Sequence, residues 1–378
     1  MRNCLLILLI ILAGCNIPKD HEIKIADGSK NEEAIRIKYS TWFSSSEVDG
    51  GIYLFVLNPW KRNDTLASYF LADSITQDQV SGADFVVKVP ADNIISLSST
   101  FLGMFSILKE QDRIIAASDA KLIYDSVLFS KYLNGDLADL GQSVHLNYES
   151  VIGLNPGLVM KYIYGTPDAN DARLINSGIT VAYNLEYMEP HPLGRAEWVK
   201  FVAAFLGREH EADSIFEYIE QQYHIWSAKA KSQAEKPSVL DGASYKGTWY
   251  AAGGKSYPAQ LYRDAGAIYH WSNDSSVGSL ALSLEVIIQH QSGADFWLNT
   301  SSGSREELLG IESRYTLLKA FRKGNVYHFN KRANRNGGFD YFEMGVVRPD
   351  LLLKDLISIF HPDLTGAGYE TLYLQKIR

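Results

Sequence analysis

The sequence is nearly without cysteine. The chain of 378 residues holds two, and both, Cys4 and Cys15, lie at its start. Beyond residue 15 no disulfide can form, so the body must be held by its core alone. The means are present: 46% of the residues are hydrophobic, enough at this length for two lobes of ordinary size. Basic charge is scarce too. There are 36 Lys and Arg against 44 Asp and Glu, a net charge of −8. That balance argues against nucleic acid, which calls for a basic face. The 9 histidines form no run and no i, i+4 pair facing an acid. A metal site needs three or four converging ligands, and His145, His191, His270 and His328 supply no such pattern. Catalytic signatures are also missing. Ser98-Ser99-Thr100 sits in no Gly-x-Ser-x-Gly elbow, and no phosphate-binding glycine loop precedes a helix. Neither an enzyme nor a bound cofactor is expected.

What is there begins at the N-terminus. Arg2 is the only charge in residues 1–14, and Cys4 to Leu12 is an unbroken apolar run. A positive start and a run this short describe a secretion leader, not a membrane-spanning helix. It closes on Leu12-Ala13-Gly14-Cys15, a pattern similar to a bacterial lipobox, in which Cys15 takes the lipid. Several acyl chains on one cysteine anchor a protein firmly. The expectation is a chain on the periplasmic side of the cell envelope, held to a membrane through Cys15. Residues 15–33, rich in Lys, Asp and Glu, read as a tether.

Three textures follow. Residues 34–89 alternate apolar and polar in short runs (Ile35, Ile37, Tyr39; Ile52 to Val56; Phe85 to Val89), which predicts a β extension. From Pro90 strands alternate with helices: Asn93–Leu97, Arg113–Ala117, Gly157–Tyr164 and Ile179–Tyr183 read as strands of a first lobe, 90–208. Helical spacing then predicts Leu193–Leu206, stopped at Gly207, and a longer helix in 209–232 with Ala212, Ile215, Phe216, Ile219 and Tyr223 on one face. A second alternating block, 233–378, places strands at Ala267–Trp271, Ala294–Asn299 and Asn325–Asn330. The fold class is α/β: two Rossmann-like lobes with mostly parallel sheets joined by one long helix. In such sheets ligands sit beyond the carboxyl ends of the strands.

Three local patterns carry a family resemblance: Asn93-Ile94-Ile95-Ser96-Leu97-Ser98-Ser99-Thr100, then Asn147-Tyr148-Glu149 leading to Leu154-Asn155-Pro156, then Leu282-Ser283-Leu284-Glu285 with Ala294-Asp295-Phe296-Trp297. Over roughly Pro90 to the C-terminus the chain resembles the periplasmic binding proteins of vitamin B12, siderophore and haem importers. The resemblance implies a monomeric receptor that hands a small organic ligand of the iron- or cobalt-bearing kind to ABC permease and ATPase subunits. It also implies that Glu149 and Glu285, one per lobe, dock the receptor on permease arginines. Each glutamate would also favour a helix N-terminus through the dipole. The alternative is a surface lipoprotein that binds a partner or a bare metal ion without an importer.

The strand ends predict a cleft lined by Ser99, Thr100, Tyr124, Tyr162, Tyr164 and Asn184 from the first lobe. From the second come Tyr245, Trp249, Tyr250, Trp271 and Asn330. Trp249-Tyr250, read as part of a Gly247–Gly254 loop, is the foremost choice, because aromatic rings suit a large planar or macrocyclic ligand. The basic loop Lys331 to Gly338 offers Arg332 and Arg335 as clamps for an anionic group.

Overall fold

The computed structural model describes residues 35–75, 82–142 and 145–378. The leader, Cys15 and the tether lie outside them. Four strands come first: β1 (Phe43–Val48), β2 (Gly51–Leu57), β3 (Thr65–Ala72) and β4 (Phe85–Lys88) form one sheet in that order, with β4 parallel to β3. Residues 35–42, expected to continue the strand pattern, are not a strand. Their backbone N–H groups are taken by side-chain carboxylates: Glu197 accepts from Lys38, Tyr39 and Ser40 at 2.7–2.8 Å, and Glu189 from Thr41 at 3.0 Å. These buried acids give the segment the hydrogen bonds a neighbouring strand would supply.

The first lobe is a five-stranded parallel sheet of β5 (Ile94–Ser96), β6 (Ile114–Ala117), β7 (Ala138–Asp139), β8 (Leu158–Tyr162) and β9 (Thr180–Asn184), ordered β7-β6-β5-β8-β9. Its helices begin where the sequence writes caps. Ser98 caps 99–108, Asp125 caps 126–134, and Asp168 with Asp171 forms a capping box on 169–176. Chain order reverses between β5 and β8, so the sheet's switch point lies at Ser98-Thr100 and Tyr162. The β1–β4 sheet packs on β9. Tyr69 donates its hydroxyl to Val181 O and accepts from Tyr183 N, both at 3.0 Å, satisfying edge groups of β9.

The buried helix Pro192–Leu206 stops at Gly207 and leads into Glu209–Lys231, whose 23 residues run roughly 34 Å between the lobes. In the second lobe the strands are β10 (Ser238–Asp241), β11 (Ala243–Tyr245), β12 (Thr248–Ala252), β13 (Ile268–Tyr269), β14 (Ser279–Leu282) and β15 (Phe296–Leu298). A parallel sheet β13-β10-β15 stands beside an antiparallel sheet β11-β12-β14. The predicted 247–254 loop is therefore mostly strand. Lys246 and Gly247 both have positive φ and close a two-residue hairpin.

The lobes meet a second time. After Phe329 the chain crosses back, and Asn334 Nδ2 donates to Ile123 O at 2.8 Å. Gly338 lies so close to Leu122 O that a Cβ would collide with it, and a Cβ on Gly103 would meet Glu343 O at 2.3 Å. Only glycine permits either approach. The helix Pro349–Phe360 then packs along the interlobe helix. No helix of the described residues is long and apolar enough to cross a membrane.

Candidate functional site

The carboxyl ends of the first lobe's strands share one edge, and a chain of polar groups, with Thr100 and Glu186 buried and the others partly so, crosses it. Ser98 Oγ is 3.1 Å from Thr100 Oγ1, which is 2.6 Å from Tyr162 Oη. Tyr162 donates in turn to Glu186 at 2.9 Å, and Glu186 holds Arg195 at 3.3 Å. Because Tyr162 spends its proton on Glu186, Thr100 must donate to Tyr162, and the chain has one direction. Arg195 lies 4.5 Å above the Tyr257 ring of the second lobe. Burial would weaken this cation, but Tyr257 and Glu186 outweigh it and raise its pKa. Beside it, Pro192, Tyr257 and Tyr341 border a gap of about 10 Å³, the size of one water.

On the second lobe the matching edge is Asp241. Its carboxylate accepts from Tyr262 at 2.5 Å, Asn299 at 2.6 Å and the Ala252 N–H at 2.8 Å, while burial raises its pKa. Glu186, Arg195, Tyr257, Tyr341 and Asp241 were not among the residues expected from the sequence. Charged residues inside apolar runs were the available signal: Arg195 follows Pro192-Leu193-Gly194, and Asp241 ends the strand Val239-Leu240.

Each lobe also carries exposed aromatics. Tyr164 is 75% exposed and packs on Tyr187 at 5.1 Å, with Tyr162 at 6.4 Å. Tyr245 and Tyr250, 63% and 44% exposed, share one face of the β11–β12 hairpin, because Tyr245 pairs with Thr248 and side chains alternate. The same alternation turns Trp249 inward, correcting its expected place in the cleft. Trp249 is fully buried, 5.4 Å from Trp297 and edge-on to Tyr315, and its Nε1 donates to Asp241 O. Trp249→Ala should therefore cost about 3–5 kcal/mol of stability, read as a shift in denaturant midpoint, with ligand affinity of the folded protein unchanged. A loss of affinity without loss of stability would return the ring to the cleft.

The remaining expected residues separate. Ser99 is exposed and Thr100 is buried in the polar chain. Tyr124 and Arg332, from opposite lobes, come together with the guanidinium 5.3 Å above the ring, and Arg332 also pairs with Asp340 at 2.7 Å. Arg335 instead lies 5.9 Å from Phe129, on the helix 126–134. Trp271 is half-buried against Tyr269 and His270. Among the histidines, His191 caps its own helix and His270 stacks on His290. Among the described residues, no three His, Cys, Asp or Glu side chains converge on a metal position.

Glu343 joins the lobes just behind Tyr124. Its carboxylate accepts from the Tyr124 and Asp125 N–H groups at 2.6 and 2.9 Å. Burial pushes its pKa up to about 8, against the pull of those two donors.

Glu149 and Glu285 lie in the first turns of Tyr148–Gly153 and Leu284–Gln291, capped by Asn147 and Ser283. Their side chains are 72% and 70% exposed. A polar hollow of about 480 Å³ beside Glu149 is bordered by His145, Tyr148, Asp168, Asn170 and Arg173.

Comparison with known proteins places this geometry. A family model described as periplasmic binding protein matches residues 94–333. An uncharacterised lipoprotein of Methanocaldococcus jannaschii is 26% identical over 292 residues, 74% of this chain and 67% of its own length. Among solved structures, a periplasmic haem-binding protein from Pseudomonas aeruginosa superposes with a TM-score of 0.58 at 17% identity, covering 76% of this chain and 98% of its own. The periplasmic vitamin B12-binding protein of Vibrio cholerae gives 0.51 at 17% identity, covering 71% and 96%. At these identities the structural likeness speaks for the fold.

Proposed function

The chain belongs to the periplasmic binding protein family, and on that premise we propose that it is a lipid-anchored receptor that captures a haem-, cobalamin- or siderophore-like ligand for an ABC importer. The family is one of solute-binding proteins rather than enzymes. The observation that carries the ligand class is a set of exposed aromatic rings on each lobe, with hydrogen-bonded polar groups at the strand ends. Tyr164 and Tyr187 on one lobe, and Tyr245 and Tyr250 on the other, offer broad rings at low entropy cost. A large organic ligand with a few polar groups suits rings together with hydrogen-bonding groups. Relatives named as lipoproteins support an envelope location, and Cys15 is the residue that would take the lipid. Delivery would use Glu149 and Glu285, whose exposure on separate lobes suits a two-fold permease; such rim charges set encounter and register.

The test is substitution of these rings. Tyr164→Ala and Tyr250→Ala should each weaken ligand binding by about 1–2 kcal/mol, roughly 5- to 30-fold in Kd, measured by calorimetry with the ligand that binds. Unchanged affinity in both variants would move the ligand away from them.

A further inference from the structure

Each proposed docking glutamate already holds an arginine of its own chain, and the two lobes reach this arrangement through unrelated segments. Glu149 pairs with Arg173, on the helix Ala169–Asn176. Glu285 pairs with Arg314 at 2.8 Å, from the 3₁₀ turn Ser313–Leu317. All four side chains are about half exposed or more, so each pair stands at the surface where a partner must land.

The pairs differ in one respect. Arg314 has a second holder: Glu312 takes its Nε and Nη2 at 3.0 and 2.8 Å and also accepts its backbone N–H at 3.0 Å. These bonds, the guanidinium's above all, hold Glu312 down at about 2, and Arg314 lowers Glu285 as well. Among the described residues Arg173 has Glu149 alone as its carboxylate partner, and it borders the polar hollow.

We propose that docking on the permease is an exchange of ion pairs, in which Arg173 and Arg314 compete with the permease's cations for Glu149 and Glu285. This rests on the docking role given to the two glutamates above. The partner that fits is a surface presenting one forked, arginine-like cation to each lobe. A guanidinium can meet a carboxylate with two parallel N–H donors, whereas an ammonium offers a point charge against a forked resident. The resident arginines thus raise the threshold for productive docking and select against surfaces that are merely basic. On the first lobe the displaced Arg173 is left beside an arriving cation. On the second, Arg314 stays with Glu312.

The experiment measures binding of the full-length protein to the permease–ATPase complex that co-purifies with it, reconstituted in nanodiscs, at low and high salt. Arg173→Gln and Arg314→Gln should each tighten binding roughly two- to five-fold at low salt, the range of an exposed ion pair, and the gain should vanish at high salt. Arg173→Lys should fall nearer the parent than Arg173→Gln. Glu149→Gln and Glu285→Gln serve as the control and should weaken binding. If they weaken it while both arginine variants bind as the parent or worse, the exchange is wrong and the docking role stands. If the glutamate variants bind normally, or no permease co-purifies, the docking role itself fails.

Discussion

Reversing both Glu149 and Glu285 to lysine should abolish ligand uptake in cells while leaving ligand affinity of the purified protein within about twofold. The two side chains are 72% and 70% exposed and lie on different lobes. Neither touches the polar chain that runs from Ser98 to Arg195. Reversal would set a lysine against Arg173 on one lobe and against Arg314 on the other, so the protein would present repulsion where it had offered carboxylates. Like charges brought together at an interface are costly, and the penalty falls on encounter and register. Single reversals should show intermediate uptake, since each lobe contributes one contact. Equal loss of ligand affinity and uptake would move these residues from docking to the binding site.

The second large effect concerns the contact between lobes at Glu343. Its folded pKa of about 8 lies above the ordinary value of 4.5, with burial as the first cause. Between those values the folded chain holds a proton that the unfolded chain has released. Stability from this group is therefore complete below about 4.5 and is lost as pH rises through about 8. The whole shift corresponds to something on the order of 4–5 kcal/mol. Buried Asp340 and Asp355 are displaced upward too and act in the same direction. The parent protein should thus melt higher at pH 5 than at pH 9. Glu343→Gln keeps one acceptor oxygen where the carboxyl offers two, so it should be somewhat less stable than the parent near pH 5 and should lose less stability than the parent between pH 5 and pH 9. Glu343→Ala should be less stable at both, because two buried N–H groups lose their acceptor. Parallel melting curves for parent and Glu343→Gln across this range would contradict the assignment.

How much of this was legible in the sequence depends on the range of the forces involved. Helix starts carry a local signal, since Ser98, Asp125, Asn147 and Asp168 each accept backbone N–H groups within three residues of themselves, although the helices at 126–134 and 169–176 were not placed from the sequence. The parallel strands announced themselves as short, wholly apolar runs such as Val159-Met160, buried on both faces. Trp249 misled because the Lys246-Gly247 turn went unread: without it, 247–254 looked like a loop, and period-two alternation could not assign Trp249 and Tyr250 to opposite faces. Residues 35–42 misled for a different reason. Their apolar alternation is real, but their partners are the carboxylates of Glu189 and Glu197, about 150 residues away. The polar chain and the second interlobe contact belong to the same class. Glu186, Arg195 and Glu343 are charges whose roles exist only once distant segments meet; the apolar run before Arg195 marks it as set inward but does not say what it meets. Tyr124 and Arg332 were each singled out, yet their meeting depends on the close approach at Gly338.

The central claim is that the cleft takes one large organic ligand. The direct measurement is an equilibrium titration of the solubilised full-length protein with haem, cobalamin and a panel of ferric siderophores, followed by tryptophan fluorescence. One member should quench saturably with one site per chain at micromolar or tighter affinity, and Tyr250→Ala should shift that curve to weaker binding. A folded protein that responds to no member of the panel would contradict the claim.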